Sequence, residues 1–123
     1  MARIAVVEDN ADNRLLVDAL LGHIHEIVEF ETGADAVAGL ESSDPDLILL
    51  DISLPGMDGT EVLAWVRAHE ALGETPVVAL TAHAMAGDRE KYLALGFDEY
   101  VTKPIVDEAV LFSAIDRCLN RTS

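Results

Sequence analysis

Two stretches of the chain, LILL at 47–50 and VVAL at 77–80, are apolar at every position. A strand packed on one face alternates apolar and polar residues, so a short unbroken run reads as a strand covered on both faces. Each run is followed by helical spacing, with Val62, Leu63, Trp65 and Val66 on a helix over 60–69 and a second helix over 84–95 stopped by Gly96. The same strand-then-helix order runs through the rest of the chain. Residues 3–8 (RIAVVE) form a first strand, followed by a helix over 12–21 with Leu15, Leu16, Ala19 and Leu20 on its stripe and Gly22 at its end. Residues 26–30 (EIVEF) make a weaker, partly alternating strand of the kind found nearer a sheet edge. A short helix over 34–41 uses Val37, Ala38 and Leu40, and SSDPD is a loop. Tyr100 and Val101 lie in a short last strand, and a helix over 107–119 turns Val110, Leu111, Ala114, Ile115 and Cys118 inward. Five strand–helix units with short connections cross over right-handed and cover both faces of a parallel sheet. The expected fold is α/β, a three-layer (βα)5 open parallel sheet forming one domain over residues 1–123.

Charge narrows the partners of such a domain. The 123 residues carry a formal net charge of −15, which disfavours a nucleic-acid backbone or an anionic membrane surface and favours small cations or a basic protein face. Cys118 is the single cysteine, excluding an internal disulfide and a cysteine metal cage. The four histidines, His23, His25, His69 and His83, lack the spacing of a helical zinc motif. The opening MARIAVVEDN turns acidic too early for a signal peptide, and no apolar run approaches the roughly 18 residues of a spanning helix, so a cytoplasmic location is expected.

In open parallel sheets, sites form beyond the C-terminal ends of the strands. The residues there are Glu8, Asp9 and Asn10 after the first strand, Asp51 after the third, Thr81 after the fourth, and Thr102 and Lys103 after the fifth. Singly, each has an ordinary reading: acids are common in loops, Thr81 suits a helix N-cap, and Lys103 suits a solvated surface. Jointly they form a constellation. If the first and third strands are neighbours, three carboxylates converge, and two like charges about 5 Å apart repel by roughly 3 kcal/mol at an effective dielectric near 20. A hard divalent cation with oxygen ligands relieves that repulsion, and Mg²⁺ suits a site that keeps several waters. Lys103 supplies a fixed positive charge. An aspartate is also a competent nucleophile toward phosphorus, and Thr81 with the Ala82 amide can orient phosphoryl oxygens. The turn-rich SLPGMDG segment at 53–59 reads as architecture that starts the next helix closely, which leaves Asp58 outside the metal site.

The motifs VVEDN at 6–10, LILLDISLPGMDG at 47–59, VVALTA at 77–82 and KP at 103–104 resemble the receiver domain of two-component response regulators. The resemblance covers essentially the whole chain. EDNADN at 8–13 and TAHAM at 81–85 look closest to receivers of hybrid histidine kinases and to single-domain regulators resembling DivK. It implies strand order 2-1-3-4-5, the flavodoxin-like arrangement, and Asp51 as phosphoacceptor for a phosphohistidine donor on a histidine kinase or histidine phosphotransfer protein. It further implies Asp9 as a direct Mg²⁺ ligand, Glu8 acting through water and the Ser53 carbonyl as a further contact, with Mn²⁺ able to substitute. Thr81 and Lys103 would hold the phosphoryl group and Tyr100 would switch inward with Thr81. Ser53 and His83 would tune phosphate lifetime. The peptide bond before Pro104 is expected to be cis, and the output surface is expected on the fourth helix, fifth strand and fifth helix. Glu8 stands where many relatives have aspartate, and Leu54 where methionine is frequent.

Three rival classes, a phosphohydrolase, a docking domain and a flavin-binding module, share parts of this pattern. A Mg²⁺-dependent phosphohydrolase of the haloacid dehalogenase type uses an aspartyl phosphate but needs a second acid two residues on, where this chain has Ser53. A phosphate-independent docking domain has no need of clustered acids. A flavin phosphate would be repelled by Glu8 and Asp9.

Overall fold

The computed structural model describes residues 2–81, 88–103 and 108–121. The elements run β1 (Arg3–Val7), α1 (Ala11–Leu21), β2 (Glu26–Phe30), α2 (Gly33–Ser43), β3 (Leu47–Asp51), α3 (Gly59–Ala68), β4 (Val77–Thr81), α4 (Asp88–Leu95), β5 (Glu99–Thr102) and α5 (Glu108–Arg121). All four strand pairings are parallel and the sheet order is β2-β1-β3-β4-β5. The expected α/β fold and its flavodoxin-like strand order are therefore observed.

The two unbroken apolar runs occupy the middle of the sheet, and every residue of β3 and β4 is buried. Period-2 alternation sends their side chains to two separate cores. Ile48, Leu50, Val77 and Ala79 meet Ala36 and Leu40 of α2, Val62, Leu63 and Val66 of α3, and Tyr92 of α4. Leu47, Leu49, Val78 and Leu80 meet Val17 and Leu21 of α1 and Leu111, Ala114, Ile115 and Cys118 of α5. Each fully buried aliphatic side chain stabilises the fold by about 1.5–3 kcal/mol, so these two rows anchor the domain. Trp65 is half-buried against the first core, with its ring 4.9 Å from that of His69.

Four helix positions expected to face inward do not, Ala19 of α1 among them. Leu15 is 68% exposed and Val110 48% exposed, and Ala38 also faces water. At about 100° per residue, Val110 is turned away from the stripe of Leu111, Ala114, Ile115 and Cys118, while Leu15 and Ala38 lie about 200° from the buried Val17 and Ala36. The periodicity identified each helix, but its rotation about its own axis is set by the sheet it meets.

Candidate functional site at the C-terminal rim of the sheet

Strand register builds the rim. Val7 pairs with Leu50, so the next residues, Glu8 and Asp51, emerge on neighbouring strands. Asp51 pairs in turn with Leu80, which brings Thr81 to the same edge. Adjacent strands lie about 4.8 Å apart, and the acids inherit that spacing. One carboxylate oxygen each from Glu8, Asp9 and Asp51 lies within 4.8 Å of the others. Glu8 and Asp51 are buried, while Asp9 is exposed.

Lys103 enters from the far side. Its backbone N–H donates to the Thr81 carbonyl at 2.7 Å, closing the end of β5 against β4. Its Nζ then lies 2.9 Å from Glu8 Oε1 and 3.1 Å from Asp51 Oδ2. Burial by itself pulls the Lys103 amine down. The hydrogen bonds to Glu8 and Asp51, with their charges, outweigh it and raise the amine above the usual lysine range. Among the described residues, three carboxylates thus face one ammonium, an arrangement that still favours a cation. Asp9 and Asp51 offer hard oxygen ligands, as Mg²⁺ requires, and the donor set fits that ion.

The loop after β3 is held from behind. The Ser53 N–H donates to Asp51 Oδ1 at 3.0 Å, and Gly59 N–H donates to the Ile52 carbonyl at 2.9 Å. A Cβ on Gly59 would sit 2.4 Å from the Asp51 carbonyl oxygen, so only glycine lets α3 begin this close to the strand end. Asp58 caps α3, accepting from the Glu61 N–H at 3.0 Å and the Thr60 hydroxyl at 2.6 Å. The Thr60 bond first, and then the backbone N–H groups, hold its carboxyl below the usual range.

Thr81 is buried at the end of β4. Tyr100 is half-buried, packs on the first core and lies 6.2 Å from the Tyr92 ring. Ala82, His83 and Pro104 lie outside the described residues. Two residues to which the sequence reading gave no role also converge here. Asn13 Nδ2 donates to Glu8 Oε1 at 3.1 Å, and Arg14 donates to the Glu8 carbonyl at 2.8 Å while pairing with Glu29 and Glu31. Asn13 is the last letter of the EDNADN motif, which gave it no role, and Arg14 had only its position in the first turn of the helix that follows Glu8.

Residues 4–116 match the response regulator receiver domain family. The chain belongs to that family. It is 44% identical over 107 residues to the sensor protein GacS of Pseudomonas syringae pv. syringae, a match covering 84% of this chain and 12% of that protein. This chain therefore spans only a small part of the length of that protein. It is 39% identical over 103 residues to the polar-differentiation response regulator DivK of Brucella ovis, covering 83% of this chain and 84% of DivK. Among solved structures, it resembles the receiver domain of a sensor histidine kinase from Pseudomonas aeruginosa PAO1, with a TM-score of 0.86, 34% identity and coverage of 97% and 98% of the two chains. That structure has a magnesium ion coordinated in its active-site cleft. No helix among the described residues is long and apolar enough to cross a membrane.

Proposed function

We propose that this receiver domain takes a phosphoryl group from phosphohistidine on a histidine kinase or histidine phosphotransfer protein and stores it on Asp51. The observation that carries this reading is Lys103 Nζ set 3.1 Å from Asp51 Oδ2, with Asp9 and Glu8 grouped around the same carboxylate. Asp51 Oδ1 accepts from Ser53, which leaves Oδ2 to attack phosphorus in line as the P–N bond of the donor breaks and histidine leaves with a proton. Asp9, Asp51 and the Ser53 carbonyl would hold Mg²⁺ directly, and Glu8 through water. The bound ion would neutralise charge on the phosphoryl oxygens. Lys103 turns from the acids to a phosphoryl oxygen, and the Thr81 hydroxyl and Ala82 amide hold the others. Hydrolysis of the acyl phosphate resets Asp51. Tyr100 follows Thr81, so that α4, β5 and α5 present a changed surface to a downstream protein. Ser53 and His83 set the lifetime of the phosphorylated state.

Incubation with Mg²⁺ and acetyl phosphate or phosphoramidate, followed by intact-mass measurement, tests the chemistry. One added phosphate is expected, abolished by Asp51→Ala and by chelation of the metal. No adduct at any Mg²⁺ concentration overturns the proposal, and sustained hydrolysis of phosphomonoesters above about 1 s⁻¹ replaces it with a phosphohydrolase.

A further inference from the structure

Glu8 carries a side chain one methylene longer than aspartate at a place where its carboxylate is fully buried. A longer acid has an extra rotatable bond to restrain, and a buried carboxylate needs donors on both oxygens. Both needs are met from the start of α1. Asn10 accepts from the N–H groups of Asp12 and Asn13 at 2.9 and 3.1 Å, capping the helix, while its own N–H donates to Glu8 Oε2 at 3.1 Å. The helix start fixed by that cap projects Asn13, whose amide donates to Glu8 Oε1 at 3.1 Å. Arg14 holds the Glu8 carbonyl from the next position, so the whole residue is fastened to the first turn of α1.

We propose that Asn13 is a positioning residue for the cation site, acting through the carboxylate of Glu8. This rests on the phosphoacceptor reading above. A neutral amide is the chemical type the position requires. It donates without adding a fourth negative charge to the rim and without placing a second ammonium where a divalent ion would sit. Lys103 shares Glu8 Oε1 with Asn13. When Lys103 turns to a phosphoryl group, Asn13 is the donor that remains on that oxygen, so Glu8 keeps its orientation through the reaction. The spacing Glu8-Asp9-Asn10 followed by Asn13 then has a mechanical meaning: a long acid, a helix cap and a side-chain clamp in one six-residue segment.

A double-mutant cycle read by isothermal titration with Mg²⁺ and no phosphodonor separates this role from general support of the helix. Asn13→Ala is expected to weaken Mg²⁺ binding about tenfold, the low end for loss of an outer-shell partner. Glu8→Asp withdraws the carboxylate by about 1.5 Å, one carbon–carbon bond, beyond the reach of Asn13. In that background Asn13→Ala is expected to change the affinity by less than about twofold, as for uncoupled sites. Asn13→Gln, which keeps an amide donor, is expected to retain most of the binding. Equal weakening by Asn13→Ala in both backgrounds, or none in either, overturns the proposal and leaves the metal site standing. Failure of the unsubstituted chain to bind Mg²⁺ overturns the metal site and the proposal together.

Discussion

The two ends of the sheet use the same chemical groups to opposite purpose. At the N-terminal ends of the strands, Arg3 donates from its side chain to Glu26 and the Ser43 carbonyl, and from its backbone to Asp46. Arg67 reaches from α3 to the carbonyls of Gly73, Thr75 and Gly96 and to Asp98, whose carboxylate also accepts from the Val77 N–H. Each guanidinium there is matched by acceptors that hold loops against strands. At the C-terminal ends, three acids crowd one lysine within the spacing of adjacent strands. One end ties its charges into contacts between loops and strands and serves the fold. The other keeps an unrelieved negative excess, which stability alone does not favour and a cation or phosphoryl group does.

That contrast can be broken by substitution. Arg67→Ala is expected to have the largest effect, a loss of about 2 kcal/mol, because four hydrogen-bonded partners lose their shared donor. Urea denaturation measures it, and phosphorylation of the folded fraction should persist. A stability unchanged by Arg67→Ala would make the basal clasp as incidental as a surface ion pair. Asp51→Asn is expected to go the other way. It abolishes phosphorylation while raising stability by up to about 1 kcal/mol, since repulsion from Glu8 and Asp9 exceeds the loss of one of the two Lys103 bonds. A clearly lower melting temperature would show that the rim acids are balanced after all.

The smallest effect concerns pH. The folded amine of Lys103 is raised above its unfolded value, so its contribution is fully present below about 10.4 and is lost as pH rises through the higher folded value. Stability measured across the alkaline range should therefore fall above about pH 10.4, and Lys103→Met should flatten that limb. An unchanged limb in the variant would assign the alkaline loss to other groups.

Much of the fold was legible in the chain because of what β3 and β4 lack. A strand buried on both faces has no place for a polar residue, so LILL and VVAL identified the centre of the sheet before any pairing was known. The rim acids were legible for a related reason: Glu8 and Asp51 interrupt apolar runs at the point where strands end. The role of Arg67 and that of Asn13 were not legible. Arg67 binds mainly main-chain carbonyls, which every residue carries and no side-chain pattern encodes, and Asn13, though part of the EDNADN motif, meets Glu8 only once the helix start is placed against the strand end. Leu15 and Val110 misled because an amphipathic spacing leaves the rotation of a helix undetermined until a sheet selects one face.

Sequence by itself therefore determined the order of strands and helices, the burial of the central sheet and the chemical identity of the groups at its C-terminal rim. These depend on local period and residue type, which the letters state directly. Tertiary structure alone decided which face each helix turns inward, which oxygen of Glu8 Asn13 and Lys103 share, and how closely α3 begins behind Asp51. Those features arise where backbone atoms distant in sequence come within a few ångströms of one another, and proximity of that kind is a property of packing.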